Sequence, residues 1–256
     1  MCGRYVLRSS HLAIAEAFGV PRGPERADGA PADAAEARYN VAPGTDIPAV
    51  GLRDGVRTVR ALRWGLVPSW AKDASIGNKL VNARAEGIEA KPSFRGAIRK
   101  RRVLVPADLY YEWQAPPPGE RTKQPWCFAR RDGRMLAFAG LWEFWRPPEG
   151  GEGDAPGEGL RTCCLITTAP NAEAARVHDR MPVVLEEADW SRWLDPATPL
   201  DAVLPLLRPL PDGTLESWPV SRAVSRVGND GPQLIEPVEL PAAEPSGSRS
   251  DASSRA

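Results

Sequence analysis

Apolar and polar residues alternate along much of this chain, and the alternating runs are short. Cys2–Leu7 has the period of two that puts every second side chain on one face of a strand. Ile47–Leu52 and Val56–Arg63 repeat that pattern around Arg53-Asp54-Gly55, and Asp-Gly between alternating runs predicts a tight hairpin. Further strands are expected over Val103–Val105, Leu109–Trp113, Trp126–Arg130 and Met135–Leu141. The nearly continuous apolar run Arg161–Thr168 predicts a buried strand, and Met181–Leu185 a short one. Helical signals are fewer. Ser9 or Ser10 caps a short helix over His11–Phe18, which Gly19 ends. Asn171 caps a helical turn through Val177, leaving His178 just past its end. Glu186–Leu194 and Leu200–Leu207 complete the set, the second entered through Thr198-Pro199.

Pro21–Glu36, Ala115–Gln124 and Pro147–Gly159 are rich in Pro, Gly and charge and are expected to be loops, the last a mobile surface insert. Pro241–Ala256 is small and polar, the composition of a disordered tail. Strands and helices mix without a βαβ rhythm. The expectation is therefore α+β, with a mixed, largely antiparallel sheet core and flanking helices. Residues 2–238 are expected to form one domain and 239–256 a disordered tail.

The composition, 42% apolar and 26% charged over 256 residues, is that of an ordinary globular protein able to build one sizeable core. No apolar run approaches the roughly 20 residues of a membrane span, and no secretory leader pattern precedes the first strand, so the cytoplasm is expected. The formal net charge is zero, which offers no global attraction to a polyanion. Positive charge is nearly all arginine, a pattern that suits phosphate but also follows from a GC-rich genome. The four cysteines include no CxxC pair and the chain has two histidines, so no metal site is expected. Cys127, Cys163 and Cys164 lie in apolar runs and are expected to be buried, inert thiols.

The candidate chemistry begins at Met1-Cys2-Gly3-Arg4. A methionine before a small residue is normally removed, which makes Cys2 the mature N-terminus. Such a residue carries an amine and a thiol on adjacent carbons, with ordinary pKa values of about 7.7–8.0 and 8.5. The pair suits an aldehyde: the amine forms an imine, and the thiol closes a five-membered thiazolidine intramolecularly. A cysteine that merely follows the initiator is the bland alternative. Arg38–Gly44 shapes a turn. Trp64–Trp70 holds two tryptophans around a Gly/Pro turn, suited to stacking on bases or to filling a core. Asn82-Ala83-Arg84-Ala85-Glu86 places three polar residues on one face if extended, which is also how a solvated strand looks. Glu112 stands among Tyr110, Tyr111 and Trp113, where burial would raise its pKa into a range useful for acid/base work; the alternative is an edge glutamate facing water. His178-Asp179-Arg180-Met181-Pro182 presents a histidine flanked by charge.

Together and in this order, Met1–Tyr5, Tyr39–Gly44, Trp64–Trp70, Asn82–Glu86, Val105–Trp113, Thr167–Ala169 with His178–Pro182, and Pro219–Val224 closely resemble the SRAP (SOS response-associated peptidase-like) family. The resemblance implies a single α+β SRAP domain with a positively charged groove. It implies covalent attachment of Cys2 to the aldehyde of an abasic site in single-stranded DNA. It also implies roles: Cys2 as nucleophile, Asn82 as hydrogen-bonding partner at the reacting centre, Glu112 as general acid/base and His178 in sugar ring opening. Arg84, Arg180 and Arg4 would contact phosphates, and Trp70 and Pro43 would pack against bases or wedge the strand. No cofactor is implied, and the protein would act as a monomer with no membrane partner. The chain departs from the family's pattern in the acidic insert Pro147–Gly159 and in having few lysines. Two rival classes remain: an N-terminal-nucleophile cysteine peptidase that uses Cys2 as a thiolate and removes its own Met1, and a non-catalytic binder of single strands.

Overall fold

The computed structural model describes residues 2–21, 37–117, 119, 121–147 and 159–240. The expected loop over residues 22–36, most of the 147–159 insert and the tail from 241 lie outside them. The fold is α+β, as the alternating runs require. The strands are β1 (Tyr5–Leu7), β2 (Arg38–Val41), β3 (Asp46–Arg53), β4 (Val56–Trp64), β5 (Asn82–Arg84), β6 (Arg102–Ala107), β7 (Leu109–Gln114), β8 (Gln124–Arg130), β9 (Leu136–Trp145), β10 (Leu160–Thr168), β11 (Met181–Pro182) and β12 (Leu215–Pro219). The α-helices are α1 (His11–Ala17), α2 (Ala97–Lys100), α3 (Ala172–Ala175), α4 (Glu187–Leu194) and α5 (Leu200–Val203).

Two sheets form. The first is five-stranded, in the order β12-β8-β7-β1-β2. The second runs β11-β10-β4-β3-β6-β9, and because β9 also pairs with β10 it closes on itself as a small barrel, with β5 hung on β10. Pairing is antiparallel except where β10 meets β4 and β5. Most buried side chains belong to one continuous core that takes residues from both sheets, among them Tyr5, Tyr110 and Phe138. Tyr110 stacks on Phe128 at 4.7 Å between ring centroids and meets Phe138 edge-on at 6.1 Å.

The β3–β4 hairpin turns as expected on Asp54 and Gly55, both at positive φ (50° and 78°), the conformation a two-residue hairpin of this hand demands. Other expectations shift. The first strand starts at Tyr5, because Cys2 to Arg4 are held by a side chain and by a single backbone bond rather than by a ladder: Asn82 Nδ2 donates to the Cys2 carbonyl, and Tyr111 N to that of Arg4. The helix expected over Leu200–Leu207 stops at Val203 and tightens to a 3-10 turn over Leu204–Leu206, since Pro205 has no N–H to continue it. The Met181–Leu185 run keeps to β10 through the Val183 N–H bond to the Ile166 carbonyl and then crosses to β9, where Val184 bridges to Phe138. Cys127, Cys163 and Cys164 are buried and free, and burial raises all three thiol pKa values.

Candidate active site

Sheet and barrel meet at Cys2. The residue precedes β1, whose neighbour β7 supplies Glu112, while β5 on the barrel supplies Asn82. Cys2 is fully buried, and its carbonyl accepts a 2.8 Å hydrogen bond from Asn82 Nδ2. That bond fixes the backbone of Cys2 and leaves its thiol unconstrained by it. Burial, and then the nearby Glu112 charge, push the Cys2 thiol well above its ordinary value. The thiolate is therefore scarce at neutral pH.

Glu112 is only 2% exposed, which excludes the edge-glutamate alternative. Burial raises its carboxyl pKa to about 7, so acid and conjugate base are both populated near neutrality. His178 follows α3, whose first turn is capped by the Asn171 side chain as expected. Its Nε2 lies 4.0 Å from Glu112 Oε2. Its Nδ1 is 3.0 Å from the Arg180 backbone N–H and 2.8 Å from Asp179 Oδ1. These two contacts require opposite states of Nδ1. Burial lowers the His178 pKa, which favours the neutral ring, and Asp179 is largely exposed, so the Arg180 N–H contact governs. A neutral ring that accepts at Nδ1 carries its proton on Nε2, the nitrogen that faces Glu112. Asn82 Oδ1 and the Tyr110 hydroxyl are buried without a hydrogen-bond partner among the described residues, which leaves polar capacity beside Cys2.

The other expected residues divide. Trp64 is core, with its indole N–H donated to the Val81 carbonyl, whereas Trp70 is 58% exposed. Pro43 is half-buried on a turn joined to the tryptophan segment by the Gly44 N–H to Trp64 carbonyl bond. That segment crosses Gly77 so closely that a Cβ on Gly65 or on Gly77 would stand 2.8 or 2.7 Å from the other's carbonyl oxygen. Arg84 is exposed. Arg180 is tied up in a two-pronged ion pair with Glu86, and Arg4 donates to Asn40 Oδ1 and to the Val224 and Ser225 carbonyls while lying 5.9 Å from the Trp113 ring. Two residues of consequence were not singled out. Asn40, read as part of a turn, donates to carbonyls of the 222–229 segment and so locks it onto β2. Glu86 was visible only as the third polar member of its motif. Among the described residues no group of three His, Cys, Asp or Glu is placed to hold a metal ion, and no helix is long and apolar enough to cross a membrane.

A family model described as SOS response associated peptidase (SRAP) matches residues 1–227. A Bacillus subtilis protein named abasic site processing protein YoqW is 40% identical over 238 residues, 92% of this chain and 99% of its own length. The chicken abasic site processing protein HMCES is 33% identical over 208 residues, 72% of this chain and 59% of its own. Among solved structures, a Bacteroides thetaiotaomicron protein aligns with a TM-score of 0.79 at 23% identity, covering 93% of this chain and all of the other, a likeness of fold. A phage-related protein from Bordetella bronchiseptica aligns with a TM-score of 0.64 at 30% identity, over 86% of this chain and 95% of its own.

Proposed function

Since the chain belongs to the SOS response associated peptidase (SRAP) family, we propose that it captures abasic sites in single-stranded DNA by forming a thiazolidine between mature Cys2 and the sugar aldehyde. The observation that carries this reading is the burial of Cys2, its carbonyl clamped by Asn82, beside a carboxyl whose pKa is raised to about 7. Domain organisation follows the same reading: residues 2–238 act as one monomeric SRAP domain.

The chemistry balances with the residues at hand. Loss of Met1 frees the Cys2 amine. Opening the sugar moves one proton from the C1 hydroxyl of the abasic deoxyribose to its ring oxygen; the Glu112 carboxyl relays it while the His178 Nε2–H hydrogen-bonds to that oxygen, so the aldehyde forms and neither residue changes charge. The amine adds to the carbonyl carbon to give a carbinolamine. Glu112 as carboxylic acid donates a proton to the departing hydroxyl, water leaves, and a protonated imine and the Glu112 carboxylate remain. The thiol then gives its proton to the Glu112 carboxylate as its sulfur adds to the imine carbon, which leaves a neutral ring N–H and restores the Glu112 acid. One aldehyde, one amine and one thiol become a thiazolidine and one water. Arg84 and Arg180 contact strand phosphates, with Arg4 bracing the site, while Trp70 and Pro43 lie against bases.

A thiolate peptidase is the weaker reading, because burial and Glu112 both oppose ionisation of the Cys2 thiol, whereas imine formation begins at the amine. The deciding experiment incubates the mature protein with an abasic single-stranded oligonucleotide and, separately, with a test peptide. Intact mass should show protein plus oligonucleotide minus one water, resistant to denaturation, and Cys2→Ala should abolish it. Peptide cleavage without any DNA adduct would overturn the proposal.

A further inference from the structure

The Arg180 guanidinium is enclosed on two sides. From the protein side, Nη2 donates to the Thr167 carbonyl at 2.6 Å. From the solvent side, Nη1 and Nη2 donate to the two carboxylate oxygens of Glu86 at 2.7 and 2.9 Å, the parallel fork that arginine makes with carboxylate or phosphate. The Arg180 side chain is 13% exposed and that of Glu86 is 56% exposed. The lid on this cation is thus a solvent-facing carboxylate from a residue 94 positions away in sequence.

We propose that Glu86 is a stand-in for a DNA backbone phosphate: it occupies the Arg180 fork while the protein is free, and a strand phosphate displaces it on binding. The inference rests on the reading of this site as a binder of single-stranded DNA. Three features support it. A cation held this far from water needs a counter-anion at all times, so the free protein must supply one. The Thr167 carbonyl holds the guanidinium from behind, so a phosphate taking Glu86's place meets a fork already oriented. Lys91 Nζ donates to the backbone carbonyls of Arg84 and Glu86 at 3.2 and 2.8 Å, so the turn stays pinned and only the Glu86 side chain needs to rotate away.

The exchange makes this contact selective. An intramolecular carboxylate competes at high effective concentration, so a free anion at ordinary concentration does not dislodge it. A phosphate delivered by a strand already held elsewhere does, and Arg84, exposed two residues before Glu86, is placed to make that first contact. The Arg180 backbone N–H also binds His178 Nδ1 at 3.0 Å, so the fork that receives the phosphate belongs to the segment that orients the histidine.

The test uses an undamaged single-stranded oligonucleotide, with affinity followed by fluorescence anisotropy over a salt series and folding checked by thermal melting. Glu86→Gln keeps the side chain's shape and removes the competing charge. It should tighten binding roughly threefold to tenfold and steepen the log–log salt slope by about 0.7, one extra phosphate's worth of counterion release. Both gains should vanish when the substitution is made in an Arg180→Ala background. Should Glu86→Gln not fold, Glu86→Asp, too short to bridge the fork fully, should give a smaller gain in the same direction. Unchanged or weaker binding by the folded variant overturns the proposal. So does a gain that persists without Arg180, which would mark a simple change of net charge. A wild-type protein that binds no single strand at all would instead refute the DNA reading on which the proposal stands.

Discussion

Burial changes the acid–base character of two residues that their sequence contexts single out. Glu112 gains a carboxyl pKa of about 7, and burial lowers the pKa of His178. The proposed adduct formation then has a definite pH dependence. The Cys2 amine must be unprotonated, so the rate rises with pH toward an amine pKa of about 7.7–8.0. Glu112 must be protonated to expel hydroxide, and it loses that proton as pH rises through about 7, so the rate falls on the alkaline side. The single-turnover profile should be a bell. Glu112→Gln should remove the falling limb and slow the reaction by about 10²–10⁴-fold. A wild-type limb that survives in the variant would assign it to another group. At this scale the sequence was informative about which residues matter and less so about their partners. Cys2, Asn82, Glu112 and His178 were nominated by motif, and the fold draws them to one junction of sheet and barrel. The pairing of Arg180 with Glu86 and the use of Arg4 as a tie to Asn40 and Val224 depend on contacts across scores of residues, which no local pattern encodes.

Elements were legible where their chemistry is local. Asp54-Gly55 announced its hairpin because two successive positive φ values select those residues, and Asn171 announced its cap. The barrel was not legible. It closes through the pairing of β9 with both β6 and β10, a choice of register that alternation in β9 alone leaves open. The two tryptophans of Trp64–Trp70 separate for a similar reason: Trp64 ends β4 inside the core, while the crossing of Gly65 over Gly77 turns the chain so that Trp70 emerges. That crossing makes a prediction about an element rather than a reacting group. Gly77→Ala drives a methyl to 2.7 Å from the Gly65 carbonyl oxygen, and backbone cannot yield as a flexible side chain can. The loss should be about 1–3 kcal/mol, read as a lower melting temperature. An unchanged melting temperature would show that the two backbones separate freely.

For the whole molecule, a net charge of zero means that any attraction to DNA must be local. Much of the arginine is spent internally: Arg130 and Arg134 pair with Asp132 and Glu186, and Arg101 with Glu143. Exposed cations near the site therefore outweigh any total. Larger still is the part played by β10, which pairs with β4, β5, β9 and β11. Asn82 reaches Cys2 from one of those partners, and the segment bearing His178 runs directly into another. Deuterium uptake should show this as a gradient, with the amides of Leu160–Thr168 among the last to exchange and the β2 edge and α1 among the first. If so, no partly opened form of the protein keeps the proposed site assembled. In the proposed chemistry an N-terminal aminothiol would react with any stray sugar or metabolite carrying a carbonyl, and carrying Asn82 and His178 on or beside the partners of β10 would tie the acceleration of that reaction to the intact fold.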